Sequence, residues 1–185
     1  MSIDKINCDI IILGGTYLFK KNIILSKKKG MKNKQIVLFG ATLALVLALV
    51  FWFTMPAINY TIFTKHDITF MNVTFATPVS IAGFSLGELK FSILNLIPLL
   101  LLIAGLVLLV LKVLDIKLFA NKDLDTLLIA IFSVVAGIGF LLVIVFTGIT
   151  NDGDTEGLKL GMGAILAGAL SIVGGLLTFA LNKVK

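Results

Sequence analysis

Between Lys159 and Lys183 the chain carries no charged side chain, and within Leu160–Leu181 small residues recur at helical intervals. Gly161, Ala164, Gly168, Ser171, Gly175 and Thr178 are separated by steps of three, four, three, four and three. On a helix this draws one seam of small side chains with a period of about 3.5 residues, the pattern of close helix–helix packing inside a bilayer. An uncharged run this long predicts a transmembrane helix, and its seam predicts that other helices pack around it.

Three further apolar runs match it, so the expected fold is an all-α membrane protein. It is a four-transmembrane-helix bundle with spans at about 36–55, 95–114, 127–147 and 160–181. With 58% hydrophobic and 14% charged residues, mostly lying between the runs, a soluble core is excluded in favour of one membrane domain over 36–185. Span one carries Gly40, Ala44 and Ala48 at intervals of four, with Phe51, Trp52 and Phe53 placed for headgroup level before Pro56 ends the helix. In span two Pro98 argues for a start with Asn95 as cap, which puts the proline in the first turn. Span three repeats the small pattern at Ala130, Ser133 and Gly137.

The longest connection, 56–94, reads as an outer loop with strands. Ile58, Tyr60 and Ile62 alternate with Asn59, Thr61 and Thr64 around Phe63; after Lys65-His66-Asp67 a second alternation runs through Ile68, Phe70, Val73 and Phe75. Period two with β-branched and aromatic residues predicts a small antiparallel β-layer on the outer ends of the helices, with a bulge at the phase slip near Met71. Residues 148–159 form the second outer loop.

Lysine placement sets the sides. All sixteen basic residues are lysine: thirteen lie in the N-terminal segment, the 112–126 region and the C-terminus, and only Lys65, Lys90 and Lys159 lie in the other two loops. The bias predicts a plasma-membrane protein with both termini in the cytoplasm and the β-layer extracellular. It also accounts for the net charge of +6 without nucleic acid. Residues 1–35 form a lysine-rich cytoplasmic segment whose apolar run, Ile10–Phe19, is too short to span. Met31-Lys-Asn-Lys-Gln has the form of a bacterial start just ahead of span one.

The chemical inventory is sparse. Cys8 is the sole cysteine and His66 the sole histidine. No Asp, Glu, Lys or His lies centrally in any span, which argues against a proton-coupled pump. Asp152, Asp154, Glu156 and Gly157 follow the first half of a calcium-loop pattern, but its twelfth position is Gly163; an acidic Asp-Gly turn ahead of a helix accounts for the same residues. No catalytic Ser/His/Asp set, P-loop or dinucleotide fingerprint occurs, so no enzyme, cofactor or metal site is expected. Gly137, Gly139, Gly174 and Gly175 leave open a glycine-broken helix of the kind that coordinates ions.

In layout, four spans with a longer, strand-rich first outer loop, the chain resembles the claudin-like tetraspan proteins, without their first-loop Trp and cysteine signature. Gly83-Phe-Ser-Leu-Gly87 and Leu160-Gly-Met-Gly-Ala-Ile-Leu-Ala-Gly168 look like small uncharacterised four-span proteins of mollicutes and related low-GC bacteria. Lysine in place of arginine throughout is similar to the usage of AT-rich genomes. The resemblance implies a fold and a cell type. The expectation is a non-enzymatic interaction or structural subunit, with the bilayer, a second copy or another membrane protein as partner. An accessory or pore-forming component of a transport system is the alternative.

Overall fold

The computed structural model describes residues 33–61, 65–75, 77–81, 84–114, 116, 122–151 and 158–181. The expectations for residues 1–32, including Cys8 and the start at Met31, and for the acidic residues 152–157 lie outside the described residues.

Among the described residues four helices are long and apolar enough to cross a membrane: α1 (Asn33–Thr54), α3 (Ile93–Val113), the Leu124–Leu141 part of α4 (Lys122–Leu141), and α6 (Met162–Ala180). At about 1.5 Å per residue they measure roughly 27–33 Å, the thickness of a hydrocarbon core of about 30 Å. Between α1 and α3 run β1 (Pro56–Thr61), β2 (Lys65–Thr69), the short helix α2 (Phe70–Thr74), β3 (Thr77–Ile81) and β4 (Phe84–Leu89). After α4 come α5 (Val143–Asn151) and β5 (Leu158–Leu160). The C-terminal ends of α1 and α5 and the N-terminal ends of α3 and α6 all abut these strands, hereafter the sheet end.

The described strands form two small sheets instead of one layer. β1 is central in the order β2-β1-β5, both pairings antiparallel, and β3 and β4 form a separate hairpin. β5 is a strand where sequence placed part of a loop: Ile58 faces Leu160, Asn59 faces Lys159 and Tyr60 faces Leu158. The phase slip near Met71 is a helical turn, not a bulge. Thr69 caps it, its hydroxyl accepting from Asn72 N at 3.4 Å, and Phe70 and Val73 then fall three apart on one buried face.

Two span boundaries also move. Ser92, not Asn95, caps α3, its Oγ accepting from Asn95 N at 3.3 Å, because the Asn95 side chain is engaged elsewhere. Pro98 therefore sits in the second turn, fully inside the helix, where its missing N–H forgoes one backbone bond. The third apolar run divides at Leu142, whose N–H donates to both Ile138 O (3.1 Å) and Gly139 O (3.2 Å), tightening the turn between α4 and α5. The exposed apolar stripe nevertheless continues in phase through Leu124, Leu127, Ile131, Val135, Ile138, Leu142, Val145 and Ile149. At the opposite end the Lys112 ammonium, near the end of α3, donates to the hydroxyl of Thr126 on α4.

Large aliphatic side chains face outward on every span, while the buried faces are rich in Ala, Gly, Ser and Thr. In water this would expose far more apolar surface than a soluble monomer tolerates; in lipid it is the expected distribution. The aromatic part of the core sits at the sheet end. Trp52 of α1 stacks on Phe70 of α2 at 5.6 Å between centroids, and Phe70 meets Phe140 of α4 edge-on at 5.4 Å. Trp52 is thus wholly buried within the protein, whereas Phe53 beside it is exposed.

Candidate functional site

The small residues singled out by sequence meet chiefly inside the bundle. α6 lies between α1 and α4, with Ala164, Gly168, Ser171, Gly175 and Thr178 all buried. A Cβ at Gly137 of α4 would lie 2.7 Å from the Gly168 carbonyl oxygen, and one at Gly168 would lie 3.0 Å from the Gly137 oxygen. The two backbones touch. Two turns further along, a Cβ at Gly175 would come 2.9 Å from Ala130 O and 3.2 Å from Ser133 Cβ. Ala130, Ser133 and Gly137 therefore face Gly168 and Gly175 across one seam.

On its other side α6 approaches α1, where a Cβ at Gly174 would fall 2.6 Å from a Leu45 methyl and 3.4 Å from Ala41 O. Ala44 and Ala48 are buried on α1. Gly40 is different: among the described residues its only close neighbour would be a Leu177 methyl at 3.7 Å, an ordinary contact. Gly40→Ala should consequently raise stability by about 0.5–1 kcal/mol through helix propensity alone, read as a higher unfolding midpoint in detergent. Gly161 lies outside the helix seam. It is the residue before α6, its N–H donates to Ala57 O at 2.8 Å, and a Cβ there would come 2.7 Å from the Ala57 carbonyl carbon. It joins the sheet to the helix.

Two of the seam hydroxyls satisfy themselves on their own helices. Ser133 Oγ donates to Ile129 O and Thr178 Oγ1 to Gly174 O, each at 2.8 Å. Ser171 Oγ is buried with no hydrogen-bond partner among the described residues. On the far side of α4, Gly105 of α3 lets that helix close on Ser133, whose Oγ would be 3.1 Å from an added Cβ. Gly139, also on α4, accommodates the Pro98 ring: a Cβ there would lie 2.9 Å from Pro98 Cβ and overlap its Cγ.

The second constellation is polar and was not singled out as a site from sequence. Asn95, 3% exposed, donates both amide protons, to Val73 O at 3.0 Å and to Thr147 Oγ1 at 3.1 Å. Ser92 N donates to Thr74 O at 2.9 Å, and Lys90 N to Asn151 Oδ1 at 2.8 Å. The hydroxyls of Ser92 and Thr150 are 2.8 Å apart. Because the single Thr150 proton goes to Phe146 O, Ser92 is the donor, giving a one-way chain from Asn95 N through Ser92 and Thr150 to Phe146 O. These bonds fasten α2, the start of α3 and the end of α5 into one unit. The sequence signal was present in Thr147, Thr150 and Asn151, a polar stripe at helical spacing where an apolar run ends. Ser92→Ala should lower stability by about 1 kcal/mol and speed amide exchange at Asn95.

Among the described residues no three His, Cys, Asp or Glu side chains are grouped to hold a metal ion. Comparison with models of known protein families and with curated proteins finds no match for this chain.

Proposed function

We propose that this protein is a non-enzymatic multi-pass membrane subunit whose bundle carries a rigidly fastened β-layer for contact with another membrane protein or a second copy. The observation that carries this reading is the polar fastening at the sheet end. Asn95, Ser92, Thr150 and Asn151 tie the long connection to α3 and α5 at several points, so a partner would meet a preformed surface instead of a mobile loop. The α4–α6 small-residue seam is occupied within the chain, so contact falls to the sheet end and the outward helix faces.

The lysine distribution supports a plasma-membrane setting with both termini cytoplasmic and the sheet end extracellular. The likeness to small four-span proteins of mollicutes and related low-GC bacteria supports a bacterial setting. The decisive experiment is gentle solubilisation from native membranes followed by mass measurement of the intact complex. A defined oligomer or stoichiometric co-purifying subunit is expected; a strict monomer with nothing attached would defeat the proposal.

A second reading, an accessory or pore-forming transport component, draws on the break at Leu142 beside Gly137 and Gly139, since interrupted membrane helices often line ion paths. It predicts ion or solute flux in reconstituted vesicles, which the structural reading does not.

A further inference from the structure

We infer that α2 and Phe91 are seated in the headgroup–acyl boundary of the bilayer, so that this part of the long connection lies in lipid instead of standing above it in water. The inference rests on the membrane-spanning assignment of α3 and adds to it. α2 is two-faced: Phe70, Val73 and Thr74 are buried, while Met71 is 42% exposed and Phe75, the residue that closes the turn, 40%. Phe75 and the half-exposed Phe91 approach at 6.1 Å between ring centroids. The bond from Ser92 N to Thr74 O holds their two segments side by side.

After Phe91 the next exposed apolar side chains are Ile93, Ile97 and Leu100, the outward stripe of α3. That stripe faces hydrocarbon if α3 spans, so the patch on α2 begins where the lipid-facing surface ends. Its occupant is then the same bilayer, at the depth aromatic rings favour. A short element with an apolar outer face and its other face on protein is the arrangement expected at such a boundary.

The test uses the full chain in phosphatidylcholine vesicles, with Trp52→Phe as background and single tryptophans introduced by Phe75→Trp, Phe91→Trp or Leu100→Trp. Lipid brominated near the top of the acyl chains should quench the first two by roughly half, with iodide in the buffer having little effect. Quenching by iodide but not bromolipid would overturn the inference, and so would quenching by neither. Leu100→Trp, quenched by deeper bromines, separates failure of this inference from failure of the spanning assignment. Should removal of the buried Trp52 unfold the chain, Met71→Cys in a Cys8→Ser background carrying a nitroxide gives the same answer. Greater access for oxygen than for an aqueous nickel chelate supports the lipid seat; the reverse refutes it.

Discussion

Gly137→Leu is expected to lower the stability of the bundle by about 3 kcal/mol, the upper range for overpacking. The space for even one carbon is taken: the Gly168 carbonyl oxygen and Ile172 Cγ1 would each stand 2.7 Å from a new Cβ, and Ile172 N 3.1 Å. A carbonyl and an amide of a packed helix cannot rotate aside as a side chain can, so the helices must separate. The smaller change, Gly137→Ala, sets about 1 kcal/mol of gained helix propensity against about 1–3 kcal/mol of overpacking, and should still destabilise. Equilibrium unfolding in mixed detergent micelles measures both. A Gly137→Leu protein as stable as its parent would show that α4 and α6 do not cross with backbones in contact.

Phe70→Ala should lower stability by about 3–5 kcal/mol, the range for removing a buried aromatic ring. The ring is 1% exposed and lies between Trp52 and Phe140, so it loses two aromatic partners as well as its own volume. The loss should concentrate at the sheet end. α2 is one five-residue turn whose main tertiary anchors are Phe70, Val73, the Asn95 bond to Val73 O and the Ser92 N–H bond to Thr74 O. Without the ring it cannot remain folded against the helices, whereas the lipid-embedded parts of the spans keep their own contacts. Red-shifted Trp52 emission with unchanged helical circular dichroism is the expected result; unaltered Trp52 emission would contradict it.

The spans were legible because each is a local property: an uncharged run long enough to cross needs no knowledge of what it touches. What escaped was fixed by distant partners. The Leu142 division was invisible because the outward stripe from Leu124 to Ile149 keeps its helical phase across it. Asn95 looked like a cap because asparagine caps well, yet its amide bonds to Val73 and Thr147 left Ser92 to cap the helix. β5 has three residues, too few for a period to register, and exists because β1 offers an edge. Gly139 was noticed as a glycine, but only the fold puts the Pro98 ring against it. The seam was partly legible: Ala130, Ser133, Gly137, Gly168 and Gly175 converge, whereas Gly161 continues the spacing yet serves the strand-to-helix junction.

The pairing of β1 with β5 has a consequence for biosynthesis. Residues 58–60 leave the ribosome about a hundred positions before residues 158–160, their neighbours in the sheet, and two crossings must be inserted in the interval. Throughout that time the newborn polypeptide shows one open strand edge, ready to accept whatever extended segment arrives first.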